Sequence, residues 1–470
     1  MASPAPSPAA PILAFATLAV LVSAAAACSA ADRDALLAIR AALSEAHLGV
    51  FSSWTGTECC TNWYGVSCDP TTGRVADLTL RGEAEDPVMA PAGHPASGVM
   101  SGYISDAVCR LDRLSSLILA DWKQISGPIP SCVATSLSYL RILELPGNRL
   151  TGEIPQSIGS LSRLTVLNLA DNLISGAIPC SITSLASLKH LDITNNQLTG
   201  RIPADLGNLA MLSRALLGRN RLSGPIPTSL GSLTRLSDLD LSENKLTGAI
   251  PDSLGSGHVL TSLYLGSNRI SGRIPASLLQ NKGLGILNLS RNAVEGSIPD
   301  VFTNQSYFMV LDLSRNRLTG TVPRSLALAA YVGHLDLSHN RLCGSIPAGP
   351  PFDHLDAESF ASNSCLCGGP LGKCATAFKV PQGNFFWLHF MDEAESNRVK
   401  VAGKSEKHHR TASKTATQGG HDITSFLTVV ILGVGLNAKP ELTLETWAHQ
   451  KALERLQEKE LAAVGDADTE

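Results

Sequence analysis

The chain has 470 residues, 44% of them apolar and 17% charged, which is enough for a sizeable core. A formal net charge of −4 provides no global field that would recruit nucleic acid or an anionic membrane. Eleven cysteines, grouped mostly toward two regions of the chain, argue against a reduced cytosolic compartment.

Residues 1–27 read as a secretory signal peptide. An apolar run over 12–27 ends in small residues, so cleavage after Ala27 or Ala30 is expected. Residues 28–74 read as an N-terminal cap. Within it, Leu36, Leu37, Ile39 and Leu43 predict an amphipathic helix over 32–43. Trp54, Cys59, Cys60, Trp63, Tyr64, Gly65, Val66 and Cys68 follow. Val75, Leu78 and Leu80 mark a first, degenerate strand. The Ala-, Pro- and Gly-rich stretch 81–100 is expected to be a functional or a disordered loop.

From here the chain becomes periodic. Asn148, Asn172, Asn196, Asn220, Asn244, Asn268, Asn292, Asn316 and Asn340 recur at a constant interval of 24 residues. Each stands in the same local pattern; around Asn172 it is Leu164, Leu167, Leu169, Asn172, Ile174, Gly176, Ile178 and Pro179. An L-x-x-L-x-L-x-x-N core at a period in the twenties is the signature of leucine-rich repeats. One unit cannot bury its apolar side alone, so stacked units must share one core. The fold class is therefore an α/β solenoid of 24-residue repeats. A curved parallel sheet of roughly 50 Å is expected on the concave face, from strands about 4.8 Å apart. Leu167 and Leu169 point inward and Asn168 outward. Each ladder asparagine is expected to satisfy backbone groups at the bend, because an unpartnered buried amide costs roughly 1–3 kcal/mol. Residues 75–347 hold ten repeats plus the degenerate first strand. The first of the ten carries Trp122 in place of the asparagine and is two residues longer than the rest.

Cys109 and Cys132 flank that irregular repeat on neighbouring coils and are expected to bridge. Cys180 has no mate and is expected to be a buried free thiol. Residues 348–374 read as a C-terminal cysteine cap with Cys343, Cys365, Cys367 and Cys374, plugged by Phe352, Leu355 and Phe360. Residues 375–422 read as a disordered basic linker and 423–438 as an apolar segment too short for an ordinary membrane span. Residues 439–470 read as an amphipathic helical tail.

The cap pattern D-x-x-A-L-L…C-C-x-x-W-Y-G-V-x-C resembles the plant leucine-rich-repeat N-terminal domain. Several stretches resemble the plant DNA-damage-repair/toleration type of leucine-rich-repeat protein more specifically. They include G-R-V-A-D-L-T-L-R-G-E-A-E-D at 73–86, L-A-D-W-K at 119–123 and V-G-H-L-D-L-S-H-N-R-L-C-G at 332–344. A looser likeness extends to polygalacturonase-inhibiting proteins. The resemblance covers about residues 28–374. It implies the pairings Cys28–Cys59, Cys60–Cys68, Cys343–Cys365 and Cys367–Cys374.

No constellation for chemistry appears. The chain lacks G-x-S-x-G, H-E-x-x-H, a P-loop and a kinase signature, so no enzyme activity, cofactor or metal is expected. It also lacks a basic stripe, an aromatic stacking platform and any nucleic-acid-binding motif. What varies between the rungs is the outward column Ile118, Glu144, Asn168, Asp192, Leu216, Asp240, Tyr264, Asn288, Asp312 and Asp336. Glu144, Asp192, Asp240, Tyr264, Asp312 and Asp336 are the candidate partner-binding residues, offering an acidic stripe to an extended protein or peptide. Arg219, Glu243, Arg291, Arg315 and His339 form the next outward column. Asn288 and Asn304 begin glycosylation sequons.

The leading expectation is a secreted, monomeric binding protein acting in defence, stress response or signalling. An inhibitor of a cell-wall-degrading enzyme such as polygalacturonase is the alternative, and a factor in DNA-damage tolerance a second one. Membrane contact through 423–438 is the weaker reading of location.

Overall fold

The computed structural model describes residues 28–45, 48–82, 98–257 and 259–374. The expectations for the signal peptide, most of the 81–100 loop and everything after Cys374 lie outside the described residues.

The 24-residue period becomes a stack of coils that share one core. Each coil gives a short strand to a 12-stranded sheet, which runs from Val66–Cys68 through Val75–Arg81 and ten repeat strands to Tyr331–Asp336. The first pair is antiparallel and every later pair parallel. Three-residue strands such as Val166–Asn168 and His190–Asp192 turn only their middle leucine fully inward. Leu143, Leu167, Leu191, Leu239 and Leu263 are all completely buried. Each such leucine contributes about 2 kcal/mol of apolar burial. A second sheet of seven strands, Ser223–Pro225 to Cys365–Cys367, runs along another side of the same coils. It forms where the chain leaves the ladder asparagine.

The ladder itself works as one network. Asn220 donates through Nδ2 to the carbonyls of Ile193, Leu217 and Gly218 at 2.9, 3.3 and 3.1 Å. Its Oδ1 accepts from the Leu198 amide at 3.0 Å. The same four bonds recur at Asn172, Asn196 and Asn244. The residue before each rung takes a left-handed backbone, as at Asp171, Asn195, Arg219, Glu243 and Arg291 with φ between 52 and 54°.

Trp122 fills the first rung. It is fully buried, and its Nε1 donates to the Leu80 carbonyl at 3.0 Å. The indole thus makes the inter-coil bond that an asparagine makes elsewhere. The two extra residues of this repeat have a cost on the next rung, where Asn148 keeps its three donor bonds but its buried Oδ1 has no partner among the described residues. The Gln124 amide, two residues past Trp122, donates to the Trp122 carbonyl at 2.8 Å instead.

At the C-terminal end the ladder continues one rung further than the sequence pattern suggests. Asn363 donates to Leu337, Phe360 and Ala361, and accepts from the Leu342 amide. Phe360 takes the place of a repeat leucine, which hides this coil from the L-x-x-L-x-L pattern. Phe352 and Phe360 are buried, and Leu355 packs against the same core.

The N-terminal lid is a helix, Ala30–Ala41, capped by the Ser29 hydroxyl, which accepts from the Asp32 amide at 3.1 Å. The helix is as long as the apolar pattern predicts but begins and ends two residues earlier. Leu37 is exposed, and Leu43 leaves the helix for a strand, Leu43–Glu45, that pairs with Met100–Tyr103. Trp54 and Trp63 stack with centroids 5.1 Å apart, and their indole N–H groups donate to Tyr64 and Thr55 carbonyls. Gly65 sits at φ 75°, where a β-carbon would lie 2.2 Å from the Thr79 carbonyl oxygen. Only glycine lets the lid approach the first strand this closely. Disulfides join Cys28 to Cys59, Cys60 to Cys68, Cys109 to Cys132, Cys343 to Cys365 and Cys367 to Cys374. Cys180 is a free cysteine but is exposed, not buried; it opens a short surface 3-10 turn whose inward residue is Ile182.

Candidate partner-binding face

The strand register places the six candidate residues in one row. Across the long sheet the paired positions run Ile118, Glu144, Asn168, Asp192, Leu216, Asp240, Tyr264, Asn288, Asp312 and Asp336. Asp240 and Tyr264 are direct neighbours, as are Asp312 and Asp336. Asn168 separates Glu144 from Asp192, and Leu216 separates Asp192 from Asp240.

Much of the acidity in this row has a local cause. The Oδ1 atoms of Asp192, Asp240, Asp312 and Asp336 accept from the amides two residues on, at 2.8 to 3.0 Å. Asn168 and Asn288 make the same bond. The chain must bend here, and a short side chain bearing an oxygen satisfies the bend amide. The column is rich in Asp and Asn for that reason before any partner is considered. Glu144 is an exception, because its carboxylate pairs with Arg81 at 3.1 Å and only 17% of its side chain is exposed. It is a less accessible candidate than the sequence suggests.

Tyr264 is the other exception. It caps nothing and lies half-buried beside Asp240. Burial, then the charges of Asp240 and Asp238, push its phenol up to about 12. It therefore stays a protonated donor over the whole physiological range.

A second outward column was not singled out from the sequence. It stands six residues before each rung and carries His190, Arg214 and Asp238 at consecutive positions. Arg214 approaches Asp238 at 3.7 Å, and Arg219 pairs with Glu243 at 3.3 Å. The ladder offered the means to find it, since counting back from Asn196, Asn220 and Asn244 gives these three residues. The centre of the face is thus a mixed patch of Arg214, Asp238, Asp240 and Tyr264, not a purely acidic stripe.

His334 is exposed at the strand preceding Asp336, and His339 lies in the left-handed bend before Asn340. Asn304 is exposed in a turn, whereas Asn288 is half-buried in the row and its Oδ1 accepts from Ser290. Tyr307 and Tyr331 stack at 5.0 Å near exposed Met309 and Leu328, a patch that the repeat pattern does not reveal. Among the described residues, no helix is long and apolar enough to cross a membrane.

Comparison with known proteins agrees with this architecture. Residues 29–69 match the leucine rich repeat N-terminal domain, 108–315 the leucine-rich repeat region, and 308–328 and 332–351 the leucine rich repeat. The chain is similar to the DNA damage-repair/toleration protein DRT100 of Arabidopsis thaliana, 57% identical over 124 residues, or 26% of this chain and 32% of that protein. It is also similar to a polygalacturonase inhibitor of Vitis vinifera, 34% identical over 119 residues, 25% of this chain and 30% of that one. Each match spans about a third or less of the relative's length. Among solved structures, a plant ice-binding protein has 29% identity and a TM-score of 0.54, covering 74% of this chain and 99% of that chain.

Proposed function

We propose that this chain, a leucine-rich-repeat protein of the plant type, is a secreted, non-enzymatic protein that binds a protein or peptide partner on the face of its long sheet. The observation that carries the reading is the central patch, where Arg214, Asp238, Asp240 and Tyr264 stand on adjoining strands in register. Arginine and tyrosine are the side chains most enriched where binding energy concentrates, and Tyr264 offers a protonated donor on a rigid strand. The left-handed bends and capped amides hold these groups in place, so little ordering cost falls on binding. Five disulfides support an extracellular setting and a role in defence, stress response or signalling.

The test is capture from extracellular fluid by the intact protein and by the double variant Asp192→Arg/Asp240→Arg. Capture is expected to fall at least tenfold while the folded baseline is kept. Undiminished capture by the double variant would move the site off this face.

A second reading is inhibition of a polygalacturonase, favoured by the sequence similarity to the grapevine inhibitor. Full polygalacturonase activity in the presence of micromolar protein would exclude it. The similarity to DRT100 raises a third reading, a role in DNA-damage tolerance. It calls for free thiols in a reducing compartment, so mass mapping without reductant that finds the bridges intact would count against it.

A further inference from the structure

At the leading edge of the long sheet, before its strands begin, Tyr139 lies between two guanidinium groups. The Cζ atoms of Arg113 and Arg163 each stand 4.6 Å from its ring centroid, one coil to either side. Arg141 follows two residues later. These four, with Asp69, Thr72, Ala76 and Ser115, line a cavity of about 220 Å³. The backbone fixes the arrangement: Ser115 donates to Ala76, Arg141 to Ser115 and Thr165 to Arg141, at 2.6 to 2.8 Å.

Three arginines line this cavity against a single carboxylate, Asp69, so positive charge prevails. Among the described residues, no carboxylate is ion-paired with Arg113, Arg141 or Arg163. Asp69 faces the cavity but serves its own turn. Its carboxylate accepts from the Thr71 hydroxyl and the Thr72 and Thr71 amides, and these bonds lower its pKa to about 2. The ring holds two of the guanidinium groups in place, and among the described residues none of the three donates a side-chain hydrogen bond, so their N–H groups are available to an oxyanion.

We propose that this cavity is an anion subsite that receives a carboxylate-bearing side chain or chain end of the peptide or protein partner, a proposal that rests on the reading given above. The charge pattern favours a peptide over an acidic polysaccharide. Arg141 directly precedes the strand Ile142–Glu144, so the subsite opens about 10 Å from the row that continues to Asp192 and Asp240. A polyuronide leaving the cavity along that row meets further carboxylates, whereas a peptide can carry an acid at one end and bases beyond it. The subsite would then set which way along the sheet the partner lies.

The test titrates the full chain with N-acetyl-triglutamate, its triglutamine counterpart, trigalacturonate and sodium sulfate, reading the arginine Nε–Hε signals by NMR. Triglutamate is expected to shift the signals of Arg113, Arg141 and Arg163, and to bind roughly tenfold or more weakly to Arg141→Gln. Triglutamine should leave them unmoved. Equal response to sulfate, or no loss in Arg141→Gln, reduces the site to general ion attraction and overturns the proposal. Tighter binding of trigalacturonate overturns the peptide assignment. The partner reading fails separately: capture that survives Arg141→Gln but is lost in Asp192→Arg/Asp240→Arg sinks the subsite alone. Specific triglutamate binding, with no partner captured on the sheet face, sinks the partner reading alone.

Discussion

A single side-chain amide carries four hydrogen bonds at each rung from Asn172 to Asn340, as at Asn220. Replacing Asn220 by Ala leaves the Leu198 N–H without a partner inside the stack and the Ile193 carbonyl with only the 3.3 Å bond from Asn196 Nδ2. Roughly 2–5 kcal/mol of stability should be lost, measured by urea denaturation. Asn220→Asp should be worse at neutral pH than at pH 3, because a carboxylate oxygen would then face three carbonyl oxygens. Tyr264 gives a prediction of the same pH sign at the alkaline end. Its phenol holds its proton to about 12 in the folded chain and loses it near 10 when unfolded. Its contribution is therefore complete below pH 10 and lost as pH rises from 10 to 12, with a ceiling of about 2.7 kcal/mol. Tyr264→Phe should flatten that part of the stability curve, and a curve as steep as the wild type's would show that other groups govern it. The rungs were legible because their spacing repeats. The work done by Asp192, Asp240, Asp312 and Asp336 was not, because a column of acids looks the same whether it caps amides or awaits a partner.

Individual elements were legible where they obey the period and obscure where they break it. Trp122 was visible as a lapse, but not as a substitute donor, since that depends on how deep an indole reaches across the coil. Asn363 was missed because an aromatic residue stands where the pattern expects leucine. The lid shows the same limit: the helix was foreseen, whereas its closing clamp joins residues far apart in the chain. Asp32, 1% exposed, accepts from Arg74 Nε at 2.8 Å and from the Val75 amide at 3.0 Å. Asp32 holds the Arg74 guanidinium well above its ordinary pKa. This ties the lid helix to the first sheet strand. Arg74→Met should cost roughly 3–5 kcal/mol by leaving a buried carboxylate unbalanced, and the added change Asp32→Asn should recover part of it. Calorimetry on the two variants checks both statements; equal melting points for the single and double variants would mean that the pair is not coupled.

The molecule as a whole is a sum of coils and near-neighbour contacts. Among the described residues the register of the coils followed from the period alone, because it repeats without insertion from Asn148 to Asn340. Function did not follow in the same way. The Arg113–Tyr139–Arg163 sandwich falls at one repeat position, nine residues before Trp122, Asn148 and Asn172, but nothing in the repeat pattern sets that position apart as a site. Deleting residues 221–244 joins Asn220 to Lys245 at an equivalent point of the repeat. The shortened chain should fold cooperatively, with a denaturant dependence lower by about a tenth. A broad or multiphasic transition would show that the coils are less interchangeable than their bonding suggests.

The side-chain bonds of the ladder also have a direction. Asn196 reaches back to the Leu169 carbonyl and the Ile174 amide, both on the preceding coil, and so does every regular rung. The side-chain partners of each asparagine have therefore been synthesised before the asparagine itself. A newly synthesised coil finds a finished template and, on docking, seals the polar edge that the previous coil left open. The chain can thus be assembled in the order in which it is written, without waiting for its C-terminal cap. Nascent chains stalled at successive lengths should gain protease protection in steps of one coil, each step falling as another rung emerges.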